Sequence, residues 1–330
     1  MKILIAGEMN PDLVLRNASA FPEPGKEVLV DDLLMTVGGS SANCAVGLAR
    51  LGNQVSFVTK IGQDVWGDFC LESMKAEGVD TSLIIRDAGL KTGITVAVTG
   101  SQERAFITYL GAIAALRPED VPEALLGSFR HLHVGGYYLQ DALRPGLKGL
   151  FAAAHRHGLT TSLDCGYDPS EKWGPDILDT LAEVDVFLPN ESEICAIARR
   201  RDPIEGLRAL SGGPTLVVAK LGRDGCASLE GGQLRFVPSI PVRVVDTTGA
   251  GDSFDAGFLH AWLRRRPLEE CLQFGAACGA LSTRGMGGTT TQPTAHEVED
   301  LLNAQTLNRL PEAPAASAGD DRPSESPHMP

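Results

Sequence analysis

The segment Val245–Phe258 reads VDTTGAGDSFDAGF, and its residue types suit anion chemistry. An apolar strand end leads into Asp-Thr-Thr, then Gly-Ala-Gly, then a helical run opened by Asp-Ser-Phe. Gly249 and Gly251 let the backbone turn tightly with no Cβ in the way. The N–H groups of Gly249, Ala250 and Gly251 then point into the space ahead of the helix, where the helix dipole adds partial positive charge. That is a cradle for a phosphate-like anion gathering negative charge. Asp252 stands at the helix start beside it, where a carboxylate can take the proton of an attacking hydroxyl. A plainer account also fits: Asp252 is a helix-start residue favoured by the dipole, and the glycines only turn the chain.

Other polar positions carry the same double reading. Asn190 and Glu193 in PNESE are spaced to share one helix face, and Asn190 as cap with Glu193 completing a capping box accounts for both. Asn10 and Asp12 follow the first apolar run in GEMNPDL; Asp12 also reads as a turn residue after Pro11. Asn43 lies in the first turn of a helix pattern, where an exposed position is the ordinary expectation. A carboxylate and an amide near each other suit vicinal hydroxyls, since each can share two hydrogen bonds. Tyr137 and Tyr138 after Gly135–Gly136 either border a pocket or simply pack. His131 with His133, and His155 with His157, lack the cysteine or carboxylate partners that would complete a metal set. No G-x-x-x-x-G-K-[ST] is present, and no G-x-G-x-x-G follows the first strand, which disfavours a Walker-type NTPase and a nicotinamide dehydrogenase.

Short apolar runs alternate with helical patterns and supply the elements that must hold these residues. Ile3–Ala6, Gln54–Lys60, His131–Val134, Thr160–Asp164, Val184–Leu188 and Thr215–Ala219 read as strands. Ser41–Leu51, Phe69–Glu77, Ser253–Arg264, Leu268–Arg284 and Thr294–Asn303 read as helices. This alternation predicts a doubly wound α/β fold, with a mostly parallel sheet flanked by helices. Glu27–Val37 and Gly93–Tyr109 break the pattern as strands without helices between them, the second with a hairpin-like turn at Gly100–Ser101. They predict a small antiparallel sheet outside the main one. Another hairpin, Gly225–Val237, turns at Gly231–Gly232.

The chain's 330 residues are 43% hydrophobic, enough for one large domain, expected over 1–310. From about Pro311 to Pro330 the composition turns to Pro, Ala, Ser and Asp, which predicts a disordered tail. The net charge of −13 argues against nucleic acid or an anionic membrane as the main partner. Seven cysteines, odd in number and without C-x-x-C spacing, fit buried thiols in a reducing compartment. With no apolar stretch long enough to span a bilayer, the expectation is a cytoplasmic protein.

The run DTTGAGDSF at 246–254 resembles the C-terminal signature of the ribokinase-like (PfkB) carbohydrate kinases. GGSSANCA at 38–45, followed by VGLARLG, resembles the N-terminal signature. PNESE at 189–193 and LGRDG at 221–225 resemble two further family segments, in the family's order. The resemblance implies a ribokinase-like domain with a β lid from about 27–37 and 93–109, and transfer of the γ-phosphoryl group of ATP to a hydroxyl of a small sugar or sugar acid. Asp252 would be the general base and Gly249, Ala250 and Gly251 the anion hole. Asn10, Asp12, Gly38, Gly39 and Asn43 would meet the substrate. Asn190, Gly222 and Gly225 would lie toward ATP, with Asn190 and Glu193 holding Mg²⁺ through water. Asp246 and Thr248 match positions that help bind a monovalent cation such as K⁺ in some members, together with carbonyls of the loop 284–290. Asp255 stands where Asn is frequent in relatives, and an added carboxylate there must point away from phosphate. Two rival readings are a nucleoside kinase of the same family, which needs an aromatic or apolar clamp not evident beside Asp12, and a sugar- or nucleotide-binding regulator without catalysis. Exposed lid strands further suggest a homodimer through the lid.

Overall fold

The computed structural model describes residues 1–309, apart from 17, 19, 22 and 100–103. The turn expected at Gly100–Ser101 and the tail expected at 311–330 lie outside the described residues. The strands are β1 (Lys2–Ala6), β2 (Asn10–Arg16), β3 (Asp32–Gly38), β4 (Gln54–Val58), β5 (Lys60–Gly62), β6 (Ile85–Asp87), β7 (Ile94–Thr99) and β8 (Arg104–Tyr109). They continue with β9 (His131–Val134), β10 (Thr160–Leu163), β11 (Val186–Phe187), β12 (Leu216–Lys220), β13 (Cys226–Glu230) and β14 (Gln233–Val237). The α-helices are α1 (Ser40–Arg50), α2 (Val65–Ala76), α3 (Glu123–Leu126), α4 (Leu147–Arg156), α5 (Asp176–Leu181), α6 (Glu191–Ala198), α7 (Pro203–Leu210), α8 (Ala250–Trp262), α9 (Leu268–Ser282) and α10 (Ala295–Arg309).

Eight strands form the main sheet in the order β14-β13-β12-β11-β10-β9-β1-β4. The six strands from β12 to β4 run parallel, and β13–β14 extend the edge as an antiparallel hairpin. Central parallel strands are covered on both faces, so they are apolar throughout rather than alternating. In β1, Ile3 and Ile5 join one core with α1, α2, α8 and α9, while Leu4 and Ala6 join the other with α4 to α7. All seven cysteines are free thiols, and all but Cys195 are buried. No helix among the described residues is long and apolar enough to cross a membrane.

The lid differs from its expected form. It is a four-stranded sheet in the order β3-β2-β7-β8, and it is mixed: β2 pairs antiparallel with β3 but parallel with β7. Residues 27–31, expected as strand, precede β3. Asp12, which also read as a turn residue after Pro11, lies in the strand β2. Pro11 and Asp12 are residue types depleted in strands, which hid the alternation that continues through Leu13 and Leu15. The ladder register puts Asp12, Val14, Thr36, Thr95, Ala97, Phe106 and Thr108 on one face, and Leu13, Leu15, Leu33, Met35, Val96 and Ile107 on the other. Phe106 is the aromatic on Asp12's face that the sequence left unseen.

Helices α8 and α9 lie close enough that small residues are required between them. A Cβ on Gly257 would stand 2.6 Å from Cys278 Sγ and 2.9 Å from the Phe274 carbonyl oxygen. A Cβ on Gly275 would touch the Phe254 ring at 3.0–3.1 Å. This contact fixes α8, and with it Asp252, against the domain. Gly257→Val is expected to destabilise the fold by about 1–3 kcal/mol, as overpacking of tight interiors does. A thermal melt equal to wild type would show that the α8–α9 contact is looser than described.

Candidate active site

Loops from the carboxyl ends of β1, β9, β10, β11 and β12 converge below the lid, where open α/β sheets bind ligands. The first turn of α8 enters the same space. Gly249 precedes α8 in the left-handed region, φ 70°, and a Cβ there would sit 2.6 Å from Gly288 Cα, so the position admits only glycine. Ala250 N–H bonds to the Thr247 carbonyl at 3.3 Å, a long contact that tightens the turn. Asp252 follows in the first helical turn, and Asn43 Nδ2 donates to its Oδ2 at 2.7 Å. Asn43 is therefore buried against Asp252 and not an exposed helix residue. Gln292 Nε2 ties the two helices by donating to the Asn43 carbonyl at 2.9 Å and bonding Ser253 Oγ at 3.0 Å. Burial raises the Asp252 carboxyl to about 6, with the Asp164 charge adding to the shift and the Asn43 bond and Lys220 opposing it.

The lid side brings together the other expected residues. Asn10 Nδ2 donates to Asp12 Oδ1 at 2.8 Å and to Thr95 Oγ1 at 3.2 Å. A Cβ on Gly38 would fall 2.1 Å from the Asp12 carboxyl, so glycine makes room for it. Gly39 caps α1 with φ 95°, its Cβ position 2.8 Å from the Glu8 carbonyl oxygen. Burial, with the charges of Asp252 and Asp246 nearby, raises Asp12 to about 7 against the Asn10 bond.

Asn190 and Glu193 form the capping box of α6. Asn190 Oδ1 accepts from Glu193 N–H at 3.0 Å, and Glu193 Oε2 accepts from Asn190 N–H at 2.8 Å. Asn190 Nδ2 also donates to Glu193 Oε1 at 2.6 Å. Asn190 forms a bridge beside Lys220, the last residue of β12. Gly222 and Gly225 bound the turn after β12 with φ 56° and 115°. Gly225 is obligatory, since a Cβ would meet the Val237 carbonyl oxygen at 2.0 Å. Asp246 accepts from Thr248 N–H at 3.0 Å, Thr248 Oγ1 at 2.8 Å and Gly287 N–H at 2.9 Å, which ties the turn before α8 to the loop 284–290.

Asp255 turns away from the cradle. It is fully buried, and both its oxygens lie 3.0 Å from Lys220 Nζ, which also bonds Asp164 Oδ2 at 2.5 Å. Sequence reasoning missed Lys220 and Asp164; the available signal was a charged residue at the carboxyl end of an apolar strand. It also missed Glu8, which accepts from Ser41 Oγ at 2.9 Å, Gln140 Nε2 at 2.8 Å and Ser41 N–H at 3.3 Å. Tyr137 and Tyr138 are packed, the latter edge-on to Trp173. His131 and His133 both bond Ser162 Oγ at 2.7 Å, and burial lowers their basicity to about 3 and about 4. The only clustered metal-type donors among the described residues are Asp164, Asp252 and Asp255.

A glycine cradle and an adjacent carboxylate at the carboxyl ends of a parallel sheet, under a β lid, define a kinase of small hydroxylated molecules. The family model for pfkB family carbohydrate kinase matches residues 1–295, and the chain belongs to that family. The ATP-dependent ribose-1-phosphate kinase of Halopiger xanaduensis is 30% identical over 306 residues, covering 92% of this chain and 98% of that protein. A fructokinase of Klebsiella pneumoniae is 32% identical over 290 residues, covering 82% and 93%. The Arabidopsis thaliana ribokinase solved with ribose and ATP superposes with a TM-score of 0.80 at 25% identity, over 91% of this chain and 98% of that one.

Glu8 offers a test of the buried acid network. Burial raises its carboxyl from 4.5 to about 7 against the bonds from Ser41 and Gln140. A carboxyl that holds its proton more tightly when folded stabilises the protein below the unfolded value, and that contribution is lost as pH rises through the folded value. Glu8→Gln cannot lose a proton. The fall in melting temperature between about pH 5 and about pH 8 is therefore expected to be smaller in the variant than in wild type. Equal pH slopes in differential scanning calorimetry would show that Glu8 does not titrate in this range.

Proposed function

We propose that the protein transfers the γ-phosphoryl group of ATP to a hydroxyl of a small sugar or sugar acid, with Asp252 as general base. The observation that carries this reading is the placement of Asp252. It sits one residue past the Gly249–Gly251 turn, at the positive end of α8, and is held by Asn43 from the helix that follows the lid strand β3. Asp252 takes the proton of the attacking hydroxyl as that oxygen approaches phosphorus. Backbone N–H groups of Gly249, Ala250 and Gly251 donate to the oxygens on which negative charge gathers, Ala250 giving up its long bond to Thr247. Asn10, Asp12, Gly38, Gly39 and Asn43 hold the substrate's hydroxyls. The lid excludes water, which would otherwise compete as acceptor. ATP lies toward Asn190, Gly222 and Gly225.

The donor set near ATP fits Mg²⁺ held through water. Asn190 and Glu193 are oxygen donors whose side chains are already bonded to each other, so they suit an outer contact. When bound there, Mg²⁺ supplies charge neutralisation at the phosphates. Asp246 and Thr248, joined to the 284–290 loop, are the place for a monovalent cation such as K⁺.

Phe106 on Asp12's face keeps a second reading in play, because a nucleoside base needs such an aromatic surface. Intact Gly249, Gly251 and Asp252 weigh against a regulator without catalysis. ATP consumption with Mg²⁺ across sugars, sugar acids, ribose-1-phosphate and nucleosides separates these readings. Asp252→Asn is expected to lower kcat by about 100- to 10,000-fold on the accepted substrate. Wild-type kcat is expected to fall as pH drops through about 6, because the base must be unprotonated. Full turnover by the variant would overturn the assignment of the base, and turnover confined to nucleosides would replace the sugar.

We also propose that two copies associate through the outer lid face, where Leu33, Met35, Ile107 and Tyr109 are 41–61% exposed. Ile107→Asp is expected to convert a dimer to a monomer in sedimentation velocity. A wild-type monomer at micromolar concentration would refute the association.

A further inference from the structure

One ammonium joins three elements of the site. Lys220 closes β12, Asp164 follows β10, and Asp255 lies on α8 one turn after Asp252. Lys220 Nζ sits 2.5 Å from Asp164 Oδ2 and 3.0 Å from both Asp255 oxygens, and all three side chains are at least nine-tenths buried. Carboxylate oxygens of Asp164, Asp252 and Asp255 come within 4.8 Å of one another, a density of negative charge that needs a cation. Lys220 is that cation, and Glu193 acts on it as a further negative charge.

Structural need alone does not explain the arrangement. Burying a charge cluster carries a heavy desolvation cost for each ion, and well-packed apolar residues are often as stable or more so. Location supplies the reason. A Cβ on Gly251 would point at the ammonium and stop 3.4 Å from Nζ and 3.8 Å from Cε, so Lys220 stands directly behind the cradle. A fixed charge in a water-poor site acts strongly on charge that develops nearby. Asp255 also shares a helix face with Asp252, so clamping one sets the rotation of the other.

We propose that Lys220 is a positioning residue for phosphoryl transfer: clamped by Asp164 and Asp255, it locks the first turn of α8 onto β10 and β12 and sets a permanent positive charge behind the Gly249–Gly251 cradle. The proposal rests on the reading of that cradle as the phosphoryl site and of Asp252 as the base.

Two variants test it in the intact protein, assayed with ATP, Mg²⁺ and the panel substrate of highest turnover. Lys220→Met is expected to lower kcat by about 100-fold while KM for ATP stays within about threefold, because the charge acts on the transition state. The triple variant Asp164→Asn, Lys220→Gln, Asp255→Asn leaves no unpaired buried charge and keeps groups that can bond one another. It is expected to fold, by circular dichroism, and to remain about as slow as the single variant; it decides the matter if Lys220→Met does not fold. A triple variant with wild-type kcat would overturn the proposal, leaving Lys220 as a mere neutraliser of its two partners. A raised KM with unchanged kcat would overturn it as well. Asp252→Asn is run alongside. If Asp252→Asn stays active, the reading of the site fails; if it is dead and the Lys220 variants are fast, only this proposal fails.

Discussion

The site depends on accommodating buried negative charge. Asp164, Glu193, Asp252 and Asp255 converge where the parallel strands end, and Lys220 is the ammonium set among them. Isolated carboxylates at such depth would take up protons, and burial does raise Glu193 to about 7 and Asp252 to about 6. Asp164 moves the other way, because Lys220 and the nearby hydrogen bonds outweigh its burial. Asp255 is pushed well above the ordinary range by burial and by Asp164, against the pull of Lys220. One cation thus holds Asp164 below the ordinary carboxylate range and opposes the upward shift of Asp255 beside it.

Packing carries that constraint outward. Glycines at 257 and 275 let α9 approach α8, and Gln292 stitches α8 to α1. Helix α1 begins at Ser40, with Gly39 as its cap directly after lid strand β3, so the lid and the first turn of α8 are joined through one helix and one amide, Asn43. The inner lid face is polar around Asp12 and bears Phe106, while its outer face is apolar. Period-2 alternation along the strands is what gives one sheet these two unlike faces.

Much of this was legible in the chain. Alternating apolar runs and helical patterns specify a covered parallel sheet, because backbone pairing and two-sided burial leave few other arrangements. The spacing in VDTTGAGDSF specifies a tight turn into a helix with a carboxylate in its first turn, since glycine freedom and helix polarity are local properties. Strand β2 was hidden because Pro11 and Asp12 contradict local strand preference, and only its neighbours β3 and β7 impose it. The mixed order of the lid follows from the same long-range pairing.

By itself, then, the sequence determined the fold class and the glycine turn that opens α8, with Asp252 in its first turn. The tertiary structure decided the partners. Asp255, ambiguous as a letter beside the glycine turn, faces Lys220, which lies 35 positions away, and Asp164 completes the clamp from 56 positions before Lys220. Asn43 reaches Asp252 across 209 positions. Which charges neutralise one another depends on how strands order themselves in a sheet, and no spacing along the chain encodes that distance.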